Sequence, residues 1–196
     1  MDLILGDEFV LGYNGHKASK TYVSQLEHAT KNGSVVKGHV GAAISRGRNI
    51  DLTTQVKSNP LINYQSLILA YGANDYAVSH NNLSIIAQDL TRSIIYAHHV
   101  NPQMKIYGIL PLNRYRHGKS CSQITGPGLY TLKELINLLA LTYNKSGVPC
   151  LNWDLVYPPV LTNLNFKRKL TDQQTYPTPK TYQQIINDIH KFIKAN

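Results

Sequence analysis

Leu3-Ile4-Leu5-Gly6-Asp7-Glu8-Phe9-Val10-Leu11-Gly12 opens the chain with three consecutive apolar residues, a glycine and two adjacent carboxylates. A short apolar run that stops at a glycine reads as a buried strand. It delivers Asp7 and Glu8 to the strand's C-terminal end, where open α/β sheets bind their ligands. Further apolar runs follow at 35–40, 67–71, 106–110 and 148–151, with helical patterns between them. Strands that alternate with helices imply βαβ units and a parallel sheet.

The helices are marked by apolar stripes: Tyr22, Val23, Leu26 and Ala29; Leu83, Ile86, Ala87, Leu90, Ile94 and Ala97; Leu132, Leu135, Ile136 and Leu139; and Tyr182, Ile185, Ile186, Ile189, Phe192 and Ile193. Each stripe is read as core packing. Asn81 or Asn82 is placed to cap the second of these helices, and Thr178 the last, with Pro179 at its first position. A shorter helix is expected at about 49–56, ended by Ser58-Asn59-Pro60. Two long irregular stretches, 113–128 and 152–177, each follow a strand and are therefore expected on the ligand face.

The 196 residues show no internal repeat and no linker, which favours one domain over 1–196. A net charge of +9 permits nucleic acid, an anionic membrane or an acidic polymer as partner without selecting among them. No apolar run approaches the roughly 18–20 residues a bilayer span needs. No basic leader with a cleavage site is visible, so a cytoplasmic chain is expected. Cys121 and Cys150, far apart, are read as reduced thiols.

Four motifs occur in a telling order. They are Gly6-Asp7-Glu8 after the first strand, Gly38-His39-Val40-Gly41 at the end of the second, Gly72-Ala73-Asn74-Asp75 after the third, and Leu170-Thr171-Asp172 with Tyr176-Pro177 before the last helix. The series resembles the SGNH (GDSL) family of esterases, lipases and acylhydrolases over nearly the whole chain. That family has Gly-Asp-Ser, a glycine, Gly-x-Asn-Asp and Asp-x-x-His-Pro at the corresponding places. Gly72-Ala73-Asn74-Asp75 is the strongest match.

The resemblance implies a three-layer α/β fold of the flavodoxin-like kind. Its parallel sheet would have five strands in order 2-1-3-4-5, with right-handed crossovers placing helices on both faces. It also implies hydrolysis of carboxylic esters, acyl or acetyl groups on lipid or carbohydrate, without a cofactor. Gly41 and Asn74 take the positions of the family's oxyanion donors, and the Glu8 N–H would supply a third. Such donors, fixed where charge develops, each contribute a few kcal/mol.

The departures fall on the reactive groups. Glu8 stands where the family has serine, and Tyr176 where it has histidine. Asp172 precedes Tyr176 by four residues rather than three, and no histidine lies between His117 and His190. A Ser-His-Asp triad is therefore not available. Attack by Glu8 on an ester would give an anhydride whose hydrolysis wants a base near neutral pKa. Tyrosine, at about 10, is ill suited to that. The Glu8 carboxylate also sits beside donors meant for an oxyanion and can fold into that hole. The expectation is a hydrolase-like protein with a broken triad, inactive or altered. Its candidate catalytic set is Glu8, Gly41, Asn74, Asp172 and Tyr176.

Other residues carry competing readings. Asp7, Glu8 and Asp75 could form a hard-cation site or an acid/base pair. The plainer reading, preferred for Asp7 and Asp75, is that they hold turns through backbone N–H groups. His16, His39 and His80 fall near the ligand face as candidates for a displaced base, His80 foremost. Arg46 and Arg48 follow Gly41. Arg114, Arg116, His117 and Lys119 occupy the loop after the fourth strand, and Lys167-Arg168-Lys169 precedes Asp172. A basic rim made of these would attract an anionic substrate. The candidate substrate-binding set is Asp7, Arg46, Asp75, His80, Arg114 and Arg116. A second reading is a non-enzymatic module that holds an anionic glycan or phosphate-bearing ligand in the former pocket. Nucleic acid is the weakest reading, because no recognition motif accompanies the charge.

Overall fold

The computed structural model describes residues 1–30 and 33–196. Its strands are β1 (Asp2–Gly6), β2 (Ser34–Gly38), β3 (Ser66–Ala70), β4 (Lys105–Ile109), β5 (Tyr115–Arg116), β6 (Lys119–Ser120) and β7 (Cys150–Leu151). Its α-helices are α1 (Lys20–Glu27), α2 (Leu52–Ser58), α3 (Ala73–Val78), α4 (Leu83–Val100), α5 (Leu132–Lys145), α6 (Phe166–Lys169) and α7 (Pro179–Ala195). Five strands form one parallel sheet in order β2-β1-β3-β4-β7, while β5 and β6 make a separate antiparallel hairpin. Counting only the sheet strands, this is the expected 2-1-3-4-5 order.

Alternation along the central strands divides the core into two layers. Leu3 and Leu5 of β1, with Leu67 and Leu69 of β3, face α2, α4 and α5. Ile4 and Ile68 face the opposite way, onto Tyr22 and Leu26 of α1 and Ile185, Ile186 and Ile189 of α7. Burial on both faces explains why these strands read as unbroken apolar runs. The helix starts are locally encoded. Asn82 accepts the Ile85 N–H at 3.1 Å, and Thr178 accepts that of Thr181 at 3.3 Å ahead of Pro179.

Four boundaries differ from the sequence reading. β2 stops at Gly38, leaving Val40 51% exposed in a turn. α2 occupies Leu52–Ser58 rather than 49–56. The last sheet strand is confined to Cys150–Leu151. A short helix, α3, begins directly on the Ala73-Asn74-Asp75 motif. At six residues it is too short to display an apolar period. The two long irregular stretches contain the β5–β6 hairpin and α6. Cys121 and Cys150 are free thiols. Among the described residues no helix is long and apolar enough to cross a membrane.

Gly108 is where the sheet meets α5 most closely. A Cβ there would lie 2.6 Å from the ring of buried Tyr143. Gly108→Ala should therefore destabilise the fold by about 1–3 kcal/mol through overpacking. The urea midpoint measures it, and an unchanged midpoint would show that the Tyr143 ring can withdraw without cost.

Candidate active-site pocket

Three strand ends converge on one side chain. β1 ends at Gly6, where an added Cβ would meet Val10 at 2.6 Å and the Ala70 carbonyl at 2.8 Å, so the strand can close against β3 only with glycine there. The chain then turns. The Leu11 and Tyr13 N–H groups both donate to the Glu8 carbonyl at 3.2 Å. The turn aims the Glu8 side chain across the ends of β2 and β3. Its Oε2 accepts the Gly41 N–H at 3.0 Å and the Asn74 Nδ2 at 2.8 Å.

Both donors are themselves positioned. Gly41 has φ +79°, a left-handed conformation that favours glycine. Gly72, at φ +118°, reverses the chain from β3 into α3. That turn puts Asn74 in the first turn of α3, where its amide also donates to the Ala42 carbonyl at 2.9 Å. The two donors thus hold a carboxylate of the protein itself.

A narrow pocket of about 50 Å³ opens beside this pair, lined by Asp7, Glu8, Phe9, Tyr71, Arg114 and Tyr176 with an apolar wall from Ile109 to Leu112. Gly41 and Asn74 do not line it, because Glu8 lies over them. Tyr176 is half-buried and meets Tyr13 edge-on, with ring centroids 5.5 Å apart. Burial, and then the Glu8 charge, push its phenol above the ordinary value. It is therefore a proton donor, not a base, at neutral pH.

Asp172 accepts the N–H groups of Gln174, Thr175 and Tyr176 at 3.0, 2.8 and 3.0 Å, all on Oδ1. Its bonds hold the loop that carries Tyr176. Arg114 enters the pocket wall with its guanidinium engaged, donating to the Ala73 carbonyl and to Thr175 Oγ1 at 3.2 Å each.

Asp7 and Asp75, both buried, fix turns. Asp7, 2% exposed, accepts the Phe9 N–H at 2.8 Å. Burial raises its pKa well above the usual range, and the Glu8 charge adds to that; the Phe9 N–H and Arg114 oppose it. Asp75 accepts the Ile44 and Ser45 N–H groups at 2.8 and 3.0 Å. Burial pushes it up to about 6 despite those bonds.

The remaining expected site residues are dispersed. Arg46 and Arg48 each donate to the Gly41 carbonyl at 3.3 Å, so they brace the turn from behind. His80 is exposed and lies outside the pocket, and Arg116 is exposed on the hairpin. His16 is exposed, and His39 Nε2 lies 3.2 Å from Gln55 Oε1. No group of three or more His, Cys, Asp or Glu suited to a metal occurs among the described residues. Sequence reasoning missed Asp51, which accepts the N–H groups of Ala43, Arg46 and Arg48. It directly precedes α2, but the helix expected at about 49–56 enclosed it and hid that position. Phe9 and Tyr182, which also line the pocket, carried no signal beyond an apolar stripe.

No known family model matches the chain, and no curated protein matches it. Solved structures do. A protein from Lactobacillus plantarum aligns over 100% of this chain and 96% of its own, with TM-score 0.79 and 15% identity. A GDSL-like lipase from Bacteroides thetaiotaomicron aligns over 99% and 85%, with TM-score 0.63 and 14% identity. The fold is that of the SGNH/GDSL hydrolases. A carbohydrate esterase family 2 enzyme from Corynascus thermopiles shares it over 99% of this chain and 65% of that one, with TM-score 0.68 and 11% identity. In this SGNH/GDSL fold, Glu8, Gly41 and Asn74 all stand past the C-terminal ends of their strands, on one side of the sheet.

Asp7 sets a pH dependence of known sign. A carboxyl whose folded pKa is raised favours folding fully below its unfolded value of about 3.9. That contribution is lost as pH rises through the folded value. Asp7→Asn keeps an acceptor for Phe9 and removes the titration. Its stability relative to the natural protein should therefore improve from pH 4 to pH 8. Urea unfolding at the two values reads this, and a difference that does not change with pH would assign the titration elsewhere.

Proposed function

We propose that this chain is an SGNH/GDSL-type hydrolase-like protein, of a class whose reaction is hydrolysis of carboxylic esters on lipid or carbohydrate. We further propose that its own pocket does not carry out serine-type ester hydrolysis. The observation behind this reading is the pair of bonds to Glu8 Oε2. An ester oxygen could reach Gly41 and Asn74 only by displacing a bound carboxylate from charge-assisted hydrogen bonds. The groups nearest the family's base and its orienter support the same reading. Tyr176 keeps its proton, and Asp172 is committed to backbone N–H groups.

A second reading, a non-enzymatic module holding an acidic glycan or phosphate-bearing ligand, draws support from a lysine-bearing cleft that shares Pro177 and Tyr182 with the pocket.

Short-chain nitrophenyl esters test the first reading. The natural protein and Glu8→Ala should both be silent. Glu8→Ser combined with Tyr176→His should exceed Glu8→Ser alone by roughly 10²-fold, the lower end of what a positioned general base contributes. Turnover by the natural protein that matches or exceeds the double variant would overturn the blocked-hole reading. Silence in a folded double variant would overturn the assignment of position 176.

A further inference from the structure

A second cavity, beside the pocket, has no role in the chemistry above. It has a volume of about 860 Å³ and lies between the β1–α1 loop, the first turns of α1 and the start of α7. Pro177 and Tyr182 line both it and the Glu8 pocket, so the two cavities are neighbours.

Its lining has a consistent chemistry. Among the described residues, Lys17 and Lys20 are the only charged side chains in its lining, and no carboxylate lines it. Both lysines are exposed, and neither pairs with an acid among the described residues. Asp172, adjacent to Thr171 of the lining, has its Oδ1 taken by three backbone N–H groups. Asn14, Thr21, Gln25 and Gln183 also line it. The Thr21 hydroxyl and the Gln25 amide make no hydrogen bond among the described residues, and the Asn14 Nδ2 donates to none. Tyr22, which also lines the cavity, has a buried hydroxyl with no partner.

We propose that this cleft is a binding site for an acidic oligosaccharide. Lys17 and Lys20 would hold its carboxylate or phosphate groups, and the free amides and hydroxyls its sugar hydroxyls. Uncommitted neutral donors and acceptors match a polyhydroxylated chain, which would satisfy them pairwise. Single-stranded nucleic acid fits less well. It calls for exposed aromatic faces on which bases stack, and the two tyrosines here are 3% and 5% exposed. The proposal rests on the binding-module reading and deepens it by assigning the ligand to a separate set of residues. It stands independently of whether the Glu8 pocket hydrolyses esters.

Calorimetric titration of the full chain tests it, with tetragalacturonate as the carboxylate probe and a glycerol phosphate oligomer as the phosphate probe. At least one should bind saturably, and the tighter of the two identifies the acidic group. The Lys17→Gln, Lys20→Gln double variant should weaken that binding by tenfold or more, as should Gln25→Ala with Asn14→Ala. Lys57→Gln, on the distant helix α2, should leave it unchanged. The proposal is overturned if neither probe saturates at millimolar concentration. It is also overturned if the lysine variant binds as the natural protein does, or if an oligodeoxynucleotide of equal charge binds as tightly. The two readings fail separately. Absent glycan binding with silent ester assays sinks only the cleft, and glycan binding with natural ester turnover sinks only the blocked hole.

Discussion

Glu8 Oε2 ties together the ends of three adjacent strands. Glu8 follows β1, Gly41 follows β2 and Asn74 follows β3, and the two donors meet on one oxygen. Hydrogen bonds to an ionised acceptor are roughly twice as strong as neutral ones. A peptide N–H and a buried amide left facing each other without an acceptor would each lose a partner that water could not easily replace. The carboxylate removes that cost from inside the protein. The same two bonds are what the proposed loss of ester hydrolysis rests on.

This arrangement depends on a second tier of carboxylates. Asp75 holds Ile44 and Ser45, and Asp51 holds Ala43, Arg46 and Arg48, so the segment after Gly41 is pinned by backbone bonds to two acids. Arg46 and Arg48 close on the Gly41 carbonyl from the other side. The Gly41 peptide thus has its N–H on Glu8 and its carbonyl on two guanidinium groups. Burial raises Asp75 to about 6 even with two N–H donors. Its position is therefore maintained against a desolvation cost, as is common where a loop must keep one shape.

Much of this was legible in the chain. The apolar runs, their alternation with helical stripes and the order of four motifs lead to the parallel sheet and to Glu8, Gly41 and Asn74. These are local signals: a strand ending at glycine, a Gly-x-Asn-Asp after it, a proline before a helix. The basic rim was less legible. Arg46, Arg48 and Arg114 are near the strand ends as their positions suggest, but each guanidinium is tethered to a protein acceptor. His80 lies five residues past Asp75 and faces solvent, because α3 turns the chain away from the pocket. Sequence spacing gives proximity along the chain, whereas a hydrogen-bond partner depends on direction.

The sequence by itself determined the alternation of strands and helices around a parallel sheet, because apolar period separates the two element types; the strand order came from the order of motifs through the family resemblance they carry. It also placed a carboxylate beside two donors and withheld a serine and a histidine. Only the tertiary structure decided where that carboxylate points, since one rotamer of Glu8 separates an open hole from a filled one. It decided as well which arginines are free. The cleft beside α1 and α7 likewise exists only in three dimensions, because Lys17 and Gln25 lie far along the chain from Gln183 and line one cavity with it when α7 packs beside α1.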